Sequence, residues 1–336
     1  MPSETRASTV DAGPRGIHHP AGAPHPAATR NPPARHAIPA VQGWASVRTM
    51  MRRVLVTGAA GLIGAATLEL LAERGIPATA LVLDDPGRPL PADRVMTGDA
   101  GKPAVVARAL RDVDAVIHLA AIPTPLDDPG ERVFAGNTAA TFTVLDQAAQ
   151  AGVRRAAIAS SYAICGLPFA AYPLAMPYLP IDTGLPLQIT DPYALSKRVD
   201  EETAAMIHRR YRMTVVALRL PFVGDAAGRL PRTAARYADD PAAGAADVWC
   251  YLDARDAARA MLAALDPVHP GDHVVYVAAP DTLAPYPTDR LLDRFHPGVP
   301  RPPFPGRTVP IDLEPARKLL NFTAVHPWPV AERALP

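Results

Sequence analysis

Tyr193 and Lys197 lie four residues apart in the run Tyr-Ala-Leu-Ser-Lys. On a helix this spacing sets a phenol and an ammonium on one face. The ammonium favours the phenolate and draws the phenol down from its ordinary pKa of ~10 toward a working range. A phenolate so made takes the proton of a hydroxyl while hydride leaves the carbon that bears it. Such chemistry needs a group to hold the reacting oxygen, and Ser160-Ser161, ahead of Gly166, offers hydroxyls. It also needs a hydride acceptor. Gly58-x-x-Gly61-x-x-Gly64 is the spacing that holds a dinucleotide. Gly58 permits a tight turn, Gly61 lets backbone approach a pyrophosphate, and Gly64 lets a helix pack close to a strand. Leu62, Ile63 and Gly64 lead into that helix, whose free N–H groups and positive dipole end suit phosphates. Asp84 follows Gly64 by twenty residues, where a carboxylate accepts bonds from an adenosine ribose. The same carboxylate repels a 2′-phosphate, so the pattern favours NAD over NADP. Arg88 nearby works against that preference.

These residues meet only if strands and helices alternate beneath them. Residues 52–57 form a short β-branched run that reads as a buried parallel strand. Residues 65–74 carry helical periodicity through Leu68, Leu71 and Ala72, stopped by Gly75. Strands are expected over 78–83, 95–97, 115–120, 155–160 and 214–220. Helices are expected over 105–110, over 137–151 closed by Gly152, and over 191–211, with Asp191 as N-cap and Pro192 in the first turn. The alternation implies an α/β fold, a Rossmann-type doubly wound parallel sheet covered on both faces. Past residue 221 the alternation weakens and proline becomes dense. The expected organisation is therefore a disordered extension over 1–50, an NAD-binding domain over 51–221, and a smaller, irregular substrate-binding region over 222–336. Ser160-Ser161 would then lie at a strand's C-terminal end, where open parallel sheets bind ligands.

At 49% hydrophobic and 20% charged residues, the chain can bury a sizeable core. Lys+Arg number 34 against 33 Asp+Glu, a formal charge of +1, without the basic footprint of a nucleic-acid binder. The charge is uneven: residues 1–50 hold five Arg against Glu4 and Asp11, and the remainder is mildly acidic. Cys165 and Cys250 are the two cysteines. They exclude a disulfide framework and a four-Cys zinc site, and fit a reducing, cytoplasmic location. No metal site is expected. No apolar run reaches the ~18 residues of a transmembrane helix. Residues 1–49 contain eight prolines and four histidines, too little apolar periodicity to offset the entropy of ordering, and no apolar stretch of the signal-peptide kind. Met50 and Met51 stand just ahead of the first strand, and the functional polypeptide is expected to begin there.

Together these motifs resemble the extended short-chain dehydrogenase/reductase superfamily, in its NAD-dependent epimerase/dehydratase branch, over roughly residues 52–265. Thr57 through Gly64 matches the family's Thr-Gly-x-x-Gly-x-x-Gly cofactor loop. The resemblance implies that Gly98-Asp99, with Ala100 beside it, contacts adenine. It implies that the strand end His118-Leu119-Ala120-Ala121 lines the nicotinamide half, and that Asn137 is the family's helix-starting Asn in the cofactor site. Ser161, Tyr193 and Lys197 match the catalytic Ser, Tyr and Lys; Ser161 would position the substrate oxygen, and Tyr193 would act as base. Lys197 would tune Tyr193 and hold the nicotinamide ribose. Leu218-Arg219 through Gly224 matches the family's Leu-Arg-x-x-x-x-Gly segment.

Three positions depart from the family pattern. Cys165 replaces a Tyr before Gly, leaving a smaller, apolar wall. Phe222 replaces an Asn near substrate. Tyr162-Ala163 replaces the Asp-Glu pair of dehydratases, which disfavours loss of water. From Met51 the chain is shorter than nucleotide-sugar epimerases, which makes it look more like uronate-dehydrogenase-type enzymes. The implied activity is NAD-dependent oxidoreduction of a hydroxyl or carbonyl on a sugar, sugar acid or other small polar substrate. A nucleotide-sugar 4-epimerase, of the UDP-glucose 4-epimerase type with retained NAD, is the second reading. A non-catalytic dinucleotide sensor is the third. The resemblance also implies a homodimer through helices 137–151 and 191–211; Phe142, Leu145, Val199 and Met206 either supply its apolar surface or face the sheet. Asp253 and Asp256 are expected as helix caps, Cys165, His118 and His208 as structural, and Trp328 as packing the helix over 314–320 onto the body.

Overall fold

The computed structural model describes residues 51–335; the extension expected over 1–50 lies outside them. The first strand, β1 (Val54–Thr57), is buried along its whole length, as a strand covered on both faces must be. It leads through the glycine turn into α1 (Leu62–Glu73), which ends at Gly75 in a left-handed conformation, φ +63°. Then come β2 (Ala78–Val82), β3 (Arg94–Thr97), α2 (Pro103–Ala109), β4 (Ala115–His118), α3 (Gly130–Gln150) and β5 (Arg155–Ser161). A short 3-10 turn, Tyr162–Cys165, follows β5. The long helix α4 (Pro192–Tyr211) precedes β6 (Thr214–Leu220). The remainder holds β7 (Phe222–Gly224), α5 (Arg229–Asp239), β8 (Tyr251–Asp253), α6 (Ala254–Ala263), β9 (Asp272–Tyr276), α7 (Thr288–Phe295) and α8 (Glu314–Leu320).

Seven strands form one parallel sheet in the order β3-β2-β1-β4-β5-β6-β9. Strand order reverses between β1 and β4, and a ligand crevice opens at such a reversal, past the strands' C-terminal ends. One core layer lies under α1, α6 and α8, with Leu68, Leu71, Met261 and Leu320. The other lies under α2, α3 and α4, with Val106, Leu145, Ala204 and Ile207. A third, aromatic cluster gathers around Tyr237, Trp249, Tyr251 and Tyr276. The chain beyond residue 221 serves both levels: β9 extends the sheet and α6 packs on α1, while α5, α7 and the loops build the aromatic cluster. Among the described residues no helix is long and apolar enough to cross a membrane.

Several elements differ from the sequence reading. The third helix starts at Gly130 rather than Asn137. Gly130 and Gly136 dilute the helical signal, but Pro129 at the N-cap and an ion pair of Arg132 with Asp128 at 2.6 Å open the helix seven residues earlier. Tyr251–Asp253 is a strand beside β7, and the helix begins only at Ala254. Asp253 caps that helix, accepting from Arg255 N–H at 2.8 Å. Asp256 does not cap: fully buried, it accepts the backbone N–H groups of Val325 and His326 at 2.9 and 2.7 Å. Trp328 does not pack α8. Its backbone N–H donates to Tyr251 Oη at 2.6 Å within the aromatic cluster, and α8 seats Ala316 and Leu320 in the core beneath α1.

Candidate active site

A cavity of about 1120 Å³ runs from the tip of β2, past the glycine turn, to the loops over β5 and β6. Gly58 adopts φ +64°, and a Cβ there would lie 2.7 Å from the backbone of Leu119 and Ala120. A Cβ on Gly64 would lie 2.3 Å from Gly58 O, so α1 reaches the turn only without one. Gly61 is different. A Cβ there would meet only Gly58 O, at 3.2 Å, and its other side is open cavity. A side chain at Gly61 would press on that backbone oxygen and take up cavity space. Gly61 is also the N-cap of α1 and brings no side-chain cap. The N–H groups of Leu62, Ile63 and Gly64 begin the helix with no acidic side chain in the first turn, a setting made for an anion. The residues fit a dinucleotide pyrophosphate.

Asp84 is exposed at the cavity's outer end, beyond β2, with Asp85 beside it. Asp99 and Ala100 border the same end, and Asp99 Oδ1 accepts from Gly101 N–H at 2.7 Å. Leu119, Ala120 and Ala121 line the middle of the cavity. Their backbone is set by Thr57, whose hydroxyl accepts from Leu119 and Ala120 N–H at 3.2 Å each and shares a bond with His118 Nδ1 at 2.8 Å. The His118 Nε2 meets Thr141 Oγ1 at 3.1 Å. Burial pushes His118 down to about 3, so it is a neutral bridge between β1 and α3, the structural role expected of it. Asn137 borders the cavity, but its amide works inward. It donates to Ile122 O at 3.1 Å and Ser196 Oγ at 3.0 Å, and accepts from Ile122 N–H at 2.8 Å. It pins the loop after β4 to α4.

At the inner end, β5 delivers Ser161 and α4 delivers Tyr193 and Lys197 to one wall. Asp191 caps α4, accepting from Ala194 N–H at 2.8 Å, and this fixes where Tyr193 falls on the first turn. The Tyr193 ring stands edge-on to Phe169, with centroids 5.9 Å apart. Lys197 Nζ lies 5.9 Å from the Tyr193 ring centroid and donates to Ala159 O at 2.9 Å. The two serines have separate fates. Ser160 donates to Glu201 Oε1 at 2.6 Å and belongs to a buried network in which Glu201 accepts two guanidinium bonds from Arg219, at 2.8 and 2.9 Å. Ser161 Oγ accepts from Ala163 N–H at 3.1 Å, keeping its own proton to donate. Gly166, at φ +94°, makes room for the chain: a Cβ there would lie 2.2 Å from Gln188 O. Cys165 and Cys250 are buried, and burial pushes the Cys165 thiol up to about 11, so both are packing groups.

Sequence reasoning missed Phe169, Arg229 and Asp247, which border the inner end beside Phe222. Arg229 stacks on the Phe222 ring at 5.1 Å. Asp247 is held by Tyr237 Oη at 3.3 Å, and burial raises its carboxyl. These residues come from loops and a short helix far apart in the chain, and no spacing announces them. Of the apolar residues expected on the outer helices, Phe142 is 48% exposed whereas Leu145 is fully buried; Met206 is partly buried against the core beneath α3. Among the described residues no cluster of His, Cys, Asp or Glu is arranged to hold a metal.

A UDP-glucose 4-epimerase of Azospirillum brasilense is 33% identical over 187 residues, which is 53% of this chain and 51% of that protein. A uronate dehydrogenase of Pseudomonas syringae pv. tomato is 27% identical over 179 residues, 52% of this chain and 61% of that one. The chain thus spans between half and two thirds of these curated relatives. A solved short-chain dehydrogenase/reductase superfamily protein from Agrobacterium tumefaciens, with bound NAD, shares the fold with a TM-score of 0.61 at 24% identity, over 82% of this chain and 93% of that one. Residues 54–279 match the model of the NAD dependent epimerase/dehydratase family, and the chain belongs to that family.

Proposed function

We propose that the protein is an NAD-dependent oxidoreductase acting on a hydroxyl or carbonyl of a sugar, sugar acid or similar small polar substrate. The observation that carries this reading is one cavity with an uncapped, glycine-opened helix start at its middle and Ser161, Tyr193 and Lys197 on its inner wall. The helix start and Gly61 would hold the pyrophosphate. Asp84, Asp99 and Ala100 would border the adenosine, and Leu119 to Ala121 the nicotinamide half. When bound, NAD supplies a ring that accepts or returns a hydride. Ser161 Oγ donates to the reacting substrate oxygen, and Tyr193 Oη takes or gives the hydroxyl proton. Lys197 contributes its charge beside Tyr193 and an N–H toward the ribose. Asp84 and Asp85 line the outer end while Arg88 stands outside the lining, which supports NAD over NADP. Tyr162 and Ala163, where a dehydratase would carry acids, support net oxidoreduction over loss of water.

The likeness to a UDP-glucose 4-epimerase favours a second reading, a nucleotide-sugar 4-epimerase that keeps its NAD. One experiment separates the two: a thermal-shift and turnover screen of sugar acids, nucleotide sugars and hydroxy acids, with and without added NAD. Oxidoreduction requires added NAD and yields NADH. An epimerase releases tightly held cofactor on denaturation and turns over without additions. The sensor reading predicts binding with no turnover, and retention of both Tyr193 and Lys197 speaks against it. The remaining proposals are a homodimer through α3 and α4, where Phe142 and Leu195 are 48% and 44% exposed, and a reducing, cytoplasmic setting. Light scattering at micromolar concentration tests the first; a monomer would remove it.

A further inference from the structure

Lys197 is one of three lysines in the chain, with Lys102 and Lys318. The other two are exposed, whereas the Lys197 side chain is 4% exposed and lies 3.2 Å from a carboxylate, Asp200, that is itself 1% exposed. Burial alone drives a lysine toward its neutral form. Lys197 nevertheless stands above its ordinary range, because the charge of Asp200 and then that of Tyr193 outweigh desolvation.

The other groups facing Lys197 add less to that compensation than Asp200 does. On α4, Glu201 already accepts two bonds from Arg219 and one from Ser160. From β4, His118 is neutral, held down at about 3. From β5, Ala159 offers a carbonyl. Tyr193 contributes charge only as phenolate. Asp200 is therefore the counter-ion. It also depends on Lys197 in return, since burial raises its carboxyl and Lys197 pulls against that, with Thr141 of α3 at its side. Its Oδ1 is buried without a hydrogen-bond partner, and Oδ2 takes the lysine bond. An ammonium has three N–H donors. Ala159 O and Asp200 Oδ2 occupy two of them, and Lys197 borders the cavity.

We propose that Asp200 is a positioning residue, which fixes the Lys197 ammonium against Ala159 and leaves its third N–H to the cavity where the nicotinamide ribose would lie. This rests on the cofactor reading above. The chain therefore places a compensated pair, not a lone cation, beside Tyr193. Without Asp200 the buried ammonium sheds its proton as pH rises, and the group that holds the ribose loses its charge.

The test needs no known substrate. In full-length protein with ¹³C-labelled lysine side chains, three signals are expected, and Lys197→Met assigns the one from Lys197. In wild type the Lys197 signal should titrate no earlier than the exposed lysines. In Asp200→Asn its midpoint should fall by about one pH unit or more, and Asp200→Glu should restore it. NAD affinity by calorimetry should be flat in wild type between about pH 7 and about pH 9. In Asp200→Asn it should fall across the same range in step with the share of Lys197 that has lost its proton, about tenfold for a midpoint of ~8. An unchanged Lys197 midpoint in Asp200→Asn overturns the proposal. Should that variant fail to fold by circular dichroism, Asp200→Ser takes its place: a fallen Lys197 midpoint supports the pair and a wild-type one overturns it. Wild-type protein that binds no NAD overturns the cofactor reading, while the lysine midpoints still decide the role of Asp200.

Discussion

The glycine turn at the middle of the cavity and the cavity's inner wall are built by opposite means. Around residues 58–64 the chain works by leaving side chains out: Gly58, Gly61 and Gly64 clear space, and backbone N–H groups face the opening. Around Tyr193 it works by burying side chains and pairing them: Lys197 with Asp200, Glu201 with Arg219, Thr57 with His118. Backbone donors at a helix start keep their charge at every accessible pH and need only the right turn. Buried ionisable groups keep theirs only while their partners are present. The glycine turn should therefore respond to shape, and the inner wall to charge and pH.

The largest effect should come from breaking the wall. Arg219→Ala leaves Glu201 buried with Arg198, 3.6 Å away, as its nearest cation and the Ser160 hydroxyl as its donor, and should cost about 3–5 kcal/mol by denaturant unfolding. A loss under ~1 kcal/mol would mean that the wall is not held by charge. Acid is the next lever. The unfolded chain protonates His118 near its ordinary 6.5, whereas the folded protein resists until about 3. The stability from this neutral bridge is whole above pH ~6.5. It drains as pH falls toward about 3, by up to ~1.4 kcal/mol per unit. His118→Gln should flatten that part of the slope while leaving the slope above pH ~7 unchanged.

Smaller effects belong to the glycine turn. Gly64→Ala pushes a methyl into Gly58 O and should cost about 1–3 kcal/mol, read as roughly ten- to hundredfold weaker NAD binding by calorimetry. It should do so equally at pH 6 and pH 8, in contrast to the wall. Asp84→Ala should be smallest, narrowing the preference for NAD over NADP by about tenfold, or ~1.4 kcal/mol. A wild type that prefers NADP would reverse the reading of the end of β2.

This contrast explains what the sequence disclosed. The glycine turn, the strands beneath it and the Tyr-Lys pair are local patterns, where a few residues in one window state the geometry. Asp200 sits three residues after Lys197, a spacing visible on paper, yet only burial of both distinguishes a counter-ion from a solvated helix face. The Glu201–Arg219–Ser160 network joins α4, β6 and β5, and no window contains it. Phe169 and Asp247 reach the cavity from separate loops and Arg229 from the start of α5, and their meeting depends on tertiary packing. The boundary at Asn137 was obscured because two glycines in the first turns of α3 weaken helix propensity, while Pro129 and the Arg132–Asp128 pair start the helix regardless.

The central claim, that the inner wall performs hydride chemistry through Tyr193, meets its most direct test in Tyr193→Phe. The change removes one oxygen and leaves the ring against Phe169. Measured on the substrate that the screen identifies, turnover should fall by roughly 10²–10⁴, while NAD affinity and unfolding midpoint stay at wild-type values. Near-full turnover by Tyr193→Phe would contradict the account and leave the dinucleotide a structural or regulatory ligand.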